Sequence, residues 1–324
     1  MPKAIRLTQT GGPEVLRWEE VEVGEPGEGQ ARIRHTAVGV NYIDTYHRSG
    51  LYPIPLPGGL GSEAAGVVEA VGPGVTAVKP GDRVAYAGGP PGSYAEARLI
   101  PAHLLVHVPE GIADDVAAAI MLKGMTSQYL IRRTYPVKAG ETVLFHAAAG
   151  GVGLIACQWL KAIGATVIGT VGSDAKAEIA RAHGCDHVII STREDIPARV
   201  KEITGGAKVP VVYDSVGKDT FLASLDCLKP LGLMVSFGNA SGKVEPFDIG
   251  ILSAKGSLYL TRPTLASYTA TRADLEATAK DVFDAILAGT IKVEIRHRYG
   301  LADAAQVHRD LEGRKTVGSI VMTP

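Results

Sequence analysis

The chain has 324 residues, enough for about two domains whose cores need no disulfides. Its 33 basic and 34 acidic side chains leave a formal charge of -1, so no global field draws nucleic acid or anionic lipid, and any bound anion must be held locally. Hydrophobic residues at 46% exclude wholesale disorder, and 39 glycines, well above the roughly 7% of an average chain, imply many turns and close backbone approaches.

Residues 1 to 122 read as short alternating strands, such as 32–34, 66–70 and 83–86, cut by turn signals at Gly11-Gly12-Pro13, Gly72-Pro73-Gly74 and Pro80-Gly81-Asp82. This is the pattern of an antiparallel, barrel-like β region. Two helical segments follow, 116–122 and 126–133. After Gly140 strands and helices alternate. Strands are predicted at 142–146, 166–170, 187–190, 209–213, 233–237 and 257–260, with helices at 151–163, 175–182, 196–203, 220–228 and 249–254. Six apolar runs joined by helical crossovers make a doubly wound parallel sheet, the Rossmann architecture that binds dinucleotides. A last helix at 274–288 precedes strands near 296–299 and 319–322, which return the tail to the β region.

The charge-free run 142–160 contains His146 and a glycine turn, and reads as buried strand, loop and helix rather than a membrane span. Cys157, Cys185 and Cys227 form no C-x-x-C and no zinc-ligand spacing. With a start at Met1 to Arg6 that lacks the apolar core of a signal peptide, they point to a reducing, cytoplasmic setting.

Between the strand 142–146 and the next helix lies Ala147-Ala148-Ala149-Gly150-Gly151-Val152-Gly153. Gly150 admits phosphate to the backbone, Gly153 lets helix and sheet pack closely, and the helix start offers unpaired N–H groups to negative charge. Ala148 stands where the usual motif begins with glycine. Taken alone the segment is equally a tight turn between buried elements. At the end of the second strand, Thr170, Val171, Gly172 and Ser173 supply no carboxylate for an unmodified ribose. Ser173 and Asp174 read as a helix cap with acid in the first turn, and Lys176 is either a surface lysine or the contact for a 2′-phosphate.

The chain resembles the zinc-free quinone oxidoreductases of the zeta-crystallin type, within the medium-chain dehydrogenase/reductase superfamily. The likeness rests on Gly11 to Leu16, Asn41-Tyr42-Ile43-Asp44-Thr45-Tyr46, Arg48 to Pro53, Gly61-Ser62-Glu63-Ala64-Ala65-Gly66, Lys123-Gly124-Met125-Thr126, His146 to Gly153, Val212 to Gly217 and Ser236-Phe237-Gly238-Asn239. It spans the whole chain. It implies an α/β protein in which a GroES-like β barrel catalytic domain, 1–125 with 262–324, accompanies a Rossmann domain, 126–261, with NADPH in the cleft. Zinc-dependent members carry Cys-x-x-Asp and Gly-His-Glu where this chain has Asn41 with Asp44, and Ser62 before Glu63. Asn and Ser are not usual zinc ligands, so no metal site is expected.

The resemblance assigns cofactor contacts to Thr126, Ala149, Gly150, Gly151, Val152, Gly172, Ser173, Lys176, Phe237, Asn239 and Arg314. Where relatives place a tyrosine near the adenine this chain has Ser191, and Arg193 is an alternative contact for the ring or the phosphate. Tyr42, Tyr46 and Tyr52 cluster within 11 positions. Such a cluster suits core packing as well as a flat quinone. The family match makes Asn41, Tyr46 and Tyr52 the catalytic pocket residues and leaves Tyr42 structural. Arg48 and Arg262 read either as surface residues or as flanks of that pocket, Asp44 and Glu63 as groups that fix geometry, and His146 as a satisfied core histidine. The implied activity is metal-free, NADPH-dependent reduction of a small-molecule quinone. Reduction of an enone or alkenal, and a binding role toward nucleotide or RNA without catalysis, are the alternatives; charge argues against nucleic acid and composition against a membrane. A homodimer through the sheet edge at 257–260 is also implied.

Overall fold

In the computed structural model, which describes residues 1–324, the short segments at the start of the chain build antiparallel sheets. Strand β1 (Lys3–Leu7) pairs with β2 (Arg17–Glu20). Strand β3 (Gln30–Val40) is far longer than the predicted 32–34, because its alternating side chains Ala31, Ile33 and His35 and then the run Ala37–Val40 all find burial. Helix α1 (Tyr42–Ser49) follows where only short strands were expected. Its apolar content is low, but Asn41 caps it, Asp44 accepts from the Asn41 N–H at 2.9 Å, and Gly50 closes it at φ 84°. Next come β4 (Gly58–Gly59), β5 (Glu63–Val71), β6 (Arg83–Ala87), β7 (Ala97–Pro101) and β8 (Val106–His107).

Helix α2 (Asp114–Tyr129) runs on into a π-helical turn, Leu130–Thr134, instead of breaking into two helices. Gly124 costs roughly 1 kcal/mol in a helix interior. Continuous burial of Ala117 to Met121 and of Met125 outweighs it.

From there the alternation is regular: β9 (Thr142–Phe145), α3 (Gly151–Ile163), β10 (Thr166–Val171), α4 (Asp174–Ala182), β11 (His187–Ile190), α5 (Ile196–Ile203), β12 (Val209–Asp214), α6 (Phe221–Cys227), β13 (Leu228–Ser236), α7 (Gly250–Ala254), β14 (Tyr259–Thr261) and α8 (Leu265–Tyr268). All six strands are parallel, in the order β11-β10-β9-β12-β13-β14. This is the doubly wound order, with its switch point between β9 and β12. Strand β13 begins at Leu228, earlier than predicted, because the stretch 228–232 pairs past an irregularity in register opposite Val209–Val211.

The chain ends with α9 (Arg272–Leu287), β15 (Ile295–Gly300), α10 (Ala304–Glu312) and β16 (Ser319–Thr323). Strand β16 pairs antiparallel with β3, and β15 pairs with β16. Helix α10 was not foreseen. Two compact units result, residues 1–125 with 269–324, and residues 126–268. The second boundary falls later than the expected 261/262: Tyr268 stacks on Tyr129 at 4.4 Å and its carbonyl accepts from Arg133 Nη1 at 2.6 Å, which keeps residues 262–268 with the second unit. Ile5, Ile33, Val68, Tyr86 and Met322 anchor the first core, and Leu144, Ile168, Val212 and Phe221 the second. No helix is long and apolar enough to cross a membrane.

Candidate active site

In the second unit the predicted nucleotide residues lie at the carboxyl ends of β9, β10 and β13, one edge of the parallel sheet, except Thr126, which is on α2. After β9 the chain turns through Ala147 at φ 52°, and the Gly150 N–H closes the turn on the Ala147 carbonyl at 2.8 Å. A Cβ on Gly153 would lie 2.7 Å from Ala148 Cα, so glycine alone lets α3 start this close to the strand. The alanine in place of the first motif glycine is accommodated from the neighbouring strand. A Cβ on Gly169 would meet Ala148 Cβ at 2.7 Å and Cys185 Sγ at 2.6 Å, so the missing side chain on β10 makes room for the methyl group on the turn. Gly150 is the N-cap of α3, which aims the first-turn N–H groups of Gly151 and Val152 away from the helix body.

Ser173 caps α4, its Oγ accepting from the Lys176 N–H at 3.4 Å, and Lys176 is half-buried. Gly172 is exposed, with nothing within 4 Å of where a Cβ would sit. Arg193, expected as an alternative phosphate or ring contact, instead holds both oxygens of Asp174 at 2.6 and 2.8 Å. Its hydrogen bonds depress the Asp174 pKa. Thr126 is buried and hydrogen-bonded to Tyr129, and Ser127 Oγ donates to the Val152 carbonyl at 3.4 Å. Phe237 is half-buried against Phe145 at 5.9 Å, and Asn239 follows it in the loop after β13. Arg262 donates to the Ser236 carbonyl at 2.8 Å.

His146 is fully buried and satisfied, Nδ1 lying 2.9 Å from Thr170 Oγ1 and Nε2 2.9 Å from Ser224 Oγ. Ser224 and Thr220 hydroxyls and the N–H groups of Val216 and Gly217 all donate to the Asp214 carboxylate, at 2.7 to 3.0 Å. This fastens the ends of β9, β10 and β12 together beneath the glycine turn.

In the first unit, α1 gathers the tyrosines. Ring centroids are 5.5 Å apart for Tyr42 and Tyr46 and 5.2 Å, edge on, for Tyr46 and Tyr52, and the Tyr52 N–H donates to the Tyr46 carbonyl at 3.1 Å. Tyr46 is buried, while Tyr42 and Tyr52 are half-buried. The Asn41 amide is turned to the protein interior: Nδ2 donates to Glu63 Oε2 at 2.6 Å. Glu63 also accepts from the Leu122 N–H at 2.7 Å and from Lys123 Nζ at 3.1 Å. Ser62 Oγ donates to Asp44 Oδ1 at 3.1 Å and the Tyr94 hydroxyl to Asp44 Oδ2 at 2.9 Å. Burial raises the Asp44 pKa to about 6 against the pull of these donors and of Lys123. Arg48 is not a surface residue. It is 3% exposed and binds both Glu312 oxygens at 2.7 and 2.9 Å. Arg314, at φ 57° just past α10, also belongs to this unit, where its charge acts on the Tyr42 phenol. Tyr94, His308 and Glu312 were missed from sequence, since their partners stand 50 to 264 positions away.

The alcohol dehydrogenase GroES-like domain family matches residues 27–110 and the zinc-binding dehydrogenase family residues 151–282. A quinone oxidoreductase of Pseudomonas aeruginosa is 56% identical over all of both chains. The chain belongs to the quinone oxidoreductase family. As a member of it the protein is an oxidoreductase with the medium-chain dehydrogenase/reductase fold. The crystal structure of Escherichia coli quinone oxidoreductase complexed with NADPH superimposes with a TM-score of 0.98 at 51% identity, covering 99% of this chain and 100% of that one. A 2-haloacrylate reductase of a Burkholderia species is 48% identical over 100% of this chain and 99% of its own. Despite the name of the matching zinc-binding family, no group of three His, Cys, Asp or Glu residues is arranged to hold a metal ion.

Proposed function

We propose that the protein catalyses the NADPH-dependent reduction of quinones. The observation that carries this reading is its 51–56% identity, end to end, with quinone oxidoreductases, one of them solved with NADPH. The second unit fits a dinucleotide: the Gly151 and Val152 N–H groups serve the pyrophosphate, and Gly172, with open space around it, lies beside Ser173 and Lys176 for the adenosine 2′-phosphate. Ala149, Gly150, Phe237 and Asn239 along the same sheet edge, with Thr126 on α2, complete the contacts. When bound, NADPH supplies hydride from its nicotinamide ring. In the first unit Tyr46 and Tyr52 orient the quinone, their faces against the ring and a phenol hydroxyl donating to the carbonyl oxygen that gains charge. Asn41 contributes by joining α1 to Glu63. The edge strand β14, with Tyr259 and Leu260 61% and 37% exposed, suits pairing with a second copy across a two-fold axis. Three buried free thiols suit the cytoplasm.

The test is NADPH oxidation against a panel of quinones, before and after chelation, with Tyr46→Phe and Tyr52→Phe beside the parent. Each variant is expected to keep its NADPH affinity and lose about two- to tenfold in kcat/KM, the worth of one hydrogen bond. Absence of quinone turnover by the parent, or its loss on chelation, refutes the reading. The 2-haloacrylate reductase relative favours one second reading, reduction of activated alkenes. An activated alkene in the same panel, turned over faster than every quinone, would establish it.

A further inference from the structure

We propose that His308 and Glu312, on the C-terminal helix α10, are positioning residues that set the tyrosine helix α1 for substrate. The proposal rests on the reading of Tyr46 and Tyr52 as quinone contacts. The first observation is a chain of hydrogen bonds with one direction. Arg48 Nη1 lies 3.0 Å from His308 Nδ1, and a guanidinium has only donors, so Nδ1 accepts and the ring proton is on Nε2. Nε2, 3.2 Å from the Tyr94 oxygen, therefore donates to it, and Tyr94 in turn donates to Asp44 Oδ2 at 2.9 Å. Burial and the Arg48 charge hold the His308 pKa down to about 3, consistent with this neutral tautomer. Glu312 fixes the other side of Arg48 with two bonds, and Arg48 Nε reaches the Gly11 carbonyl at 3.0 Å.

Helix geometry converts this chain into a grip. Asp44 and Arg48 are four residues apart and share one face of α1, and both ends of that face lead to α10. Tyr42 and Tyr46 are also four apart but offset by two positions, roughly 200° around the axis at 100° per residue. Tyr46 therefore lies round the helix from Asp44 and Arg48, while the Tyr42 phenol still feels the charges of Glu312, Arg314 and Arg48. A shift of α10 is thus transmitted to Tyr46 and, through its carbonyl, to Tyr52. Asp44, Arg48, Tyr94 and His308 are all at most 3% exposed. Such a network adds little net stability over apolar packing but admits one geometry, which is what a substrate-orienting helix needs.

The experiment pairs His308→Leu with His308→Gln. Glutamine offers an acceptor for Arg48 and a donor for Tyr94, whereas leucine fills similar space with neither. His308→Leu is expected to raise the quinone KM about tenfold with kcat nearly unchanged, and His308→Gln to restore it to within about threefold of the parent. NADPH affinity stays constant in both. A fluorine label on Tyr52, read by NMR without substrate, is expected to shift in the Leu variant and return in the Gln variant. Glu312→Gln, at an exposed position, is expected to move the same resonance by a smaller amount. If leucine and glutamine behave alike, or if neither they nor Glu312→Gln moves the resonance, these residues are packing only. Lack of quinone turnover in the parent would sink the functional reading instead, and the resonance would still decide the positioning role.

Discussion

Each unit buries a polar network around an aspartate and a histidine, and the two are built on different principles. Around Asp214 every donor is neutral: two backbone N–H groups and two hydroxyls, one of which passes on to His146 and Thr170. Those groups lie at the ends of adjacent strands and in the loop and helix that follow β12, so the network stiffens a sheet edge from within. The direct donors to Asp44 are neutral too, but from there the network leads on to full charges, Arg48 with Glu312, and next to it Glu63 with Lys123. Its members come from α1, β5, α2, α10 and the loop after β6. A sheet edge already fixed by its ladder needs dipoles alone. A two-turn helix with no ladder is held by charges from distant elements, and that hold responds to pH.

The largest contrast is expected at the buried ion pair. Glu63→Ala leaves the Lys123 ammonium, 5% exposed, without its carboxylate, and should cost about 3–5 kcal/mol in denaturant unfolding. Replacing both residues by methionine removes the buried charge and should recover most of that loss. A double variant as unstable as the single would show that the Asn41 and Leu122 bonds to Glu63, rather than the charge pair, dominate here.

The pH response comes next. The Asp44 pKa is about 6 in the folded protein against 3.8 for a free aspartate, so the native state binds its proton more tightly and stability from this group falls as pH rises from about 4 to 6. The pKa of His308, about 3 against 6.5, works the other way: the unfolded chain takes the proton first, so stability falls as pH drops below 6.5. Between pH 6 and 4 the two oppose each other. Relative to the parent, Asp44→Asn should lose stability and His308→Gln gain it on going from pH 6 to 4, each by about 2–3 kcal/mol at 1.36 kcal/mol per unit. Parallel curves for parent and variants would mean that neither group titrates in that window.

How much of this was legible beforehand follows from where the information sits. The strands and helices of the second unit could be read because apolar runs, glycine turns and caps are local, and α3 and α5 fall at the predicted residues. Helix α1 was missed because its signature is capping, Asn41 with Asp44 and a closing Gly50, and not a hydrophobic stripe. Arg48 was misread for a different reason. An arginine is exposed unless a partner takes it inside, and its partners His308 and Glu312 are 260 and 264 residues away, a pairing no local pattern records. The turn at Ala148 likewise makes sense only beside Gly169 on the next strand.

The smallest expected effect tests the neutral side of the comparison, where one cation matters for ligand rather than for fold. NADPH and NADH differ by the 2′-phosphate, so selectivity arises where that group sits, which the proposed function puts beside Gly172, Ser173 and Lys176. Asp174 would repel phosphate there, but Arg193 holds both its oxygens. A charge-assisted contact contributes roughly 1.5–3 kcal/mol, and a half-buried lysine belongs at the lower end because solvent screens it. Lys176→Ala should therefore weaken NADPH binding about tenfold and leave NADH nearly unchanged, with folding stability within about 0.5 kcal/mol of the parent. The parent's NADPH affinity should fall as salt rises, and the variant's should fall less steeply. Equal losses for both cofactors would make Lys176 a structural part of the α4 start, and Arg193→Ala, which frees Asp174 to repel phosphate, would then be the variant that weakens NADPH selectively.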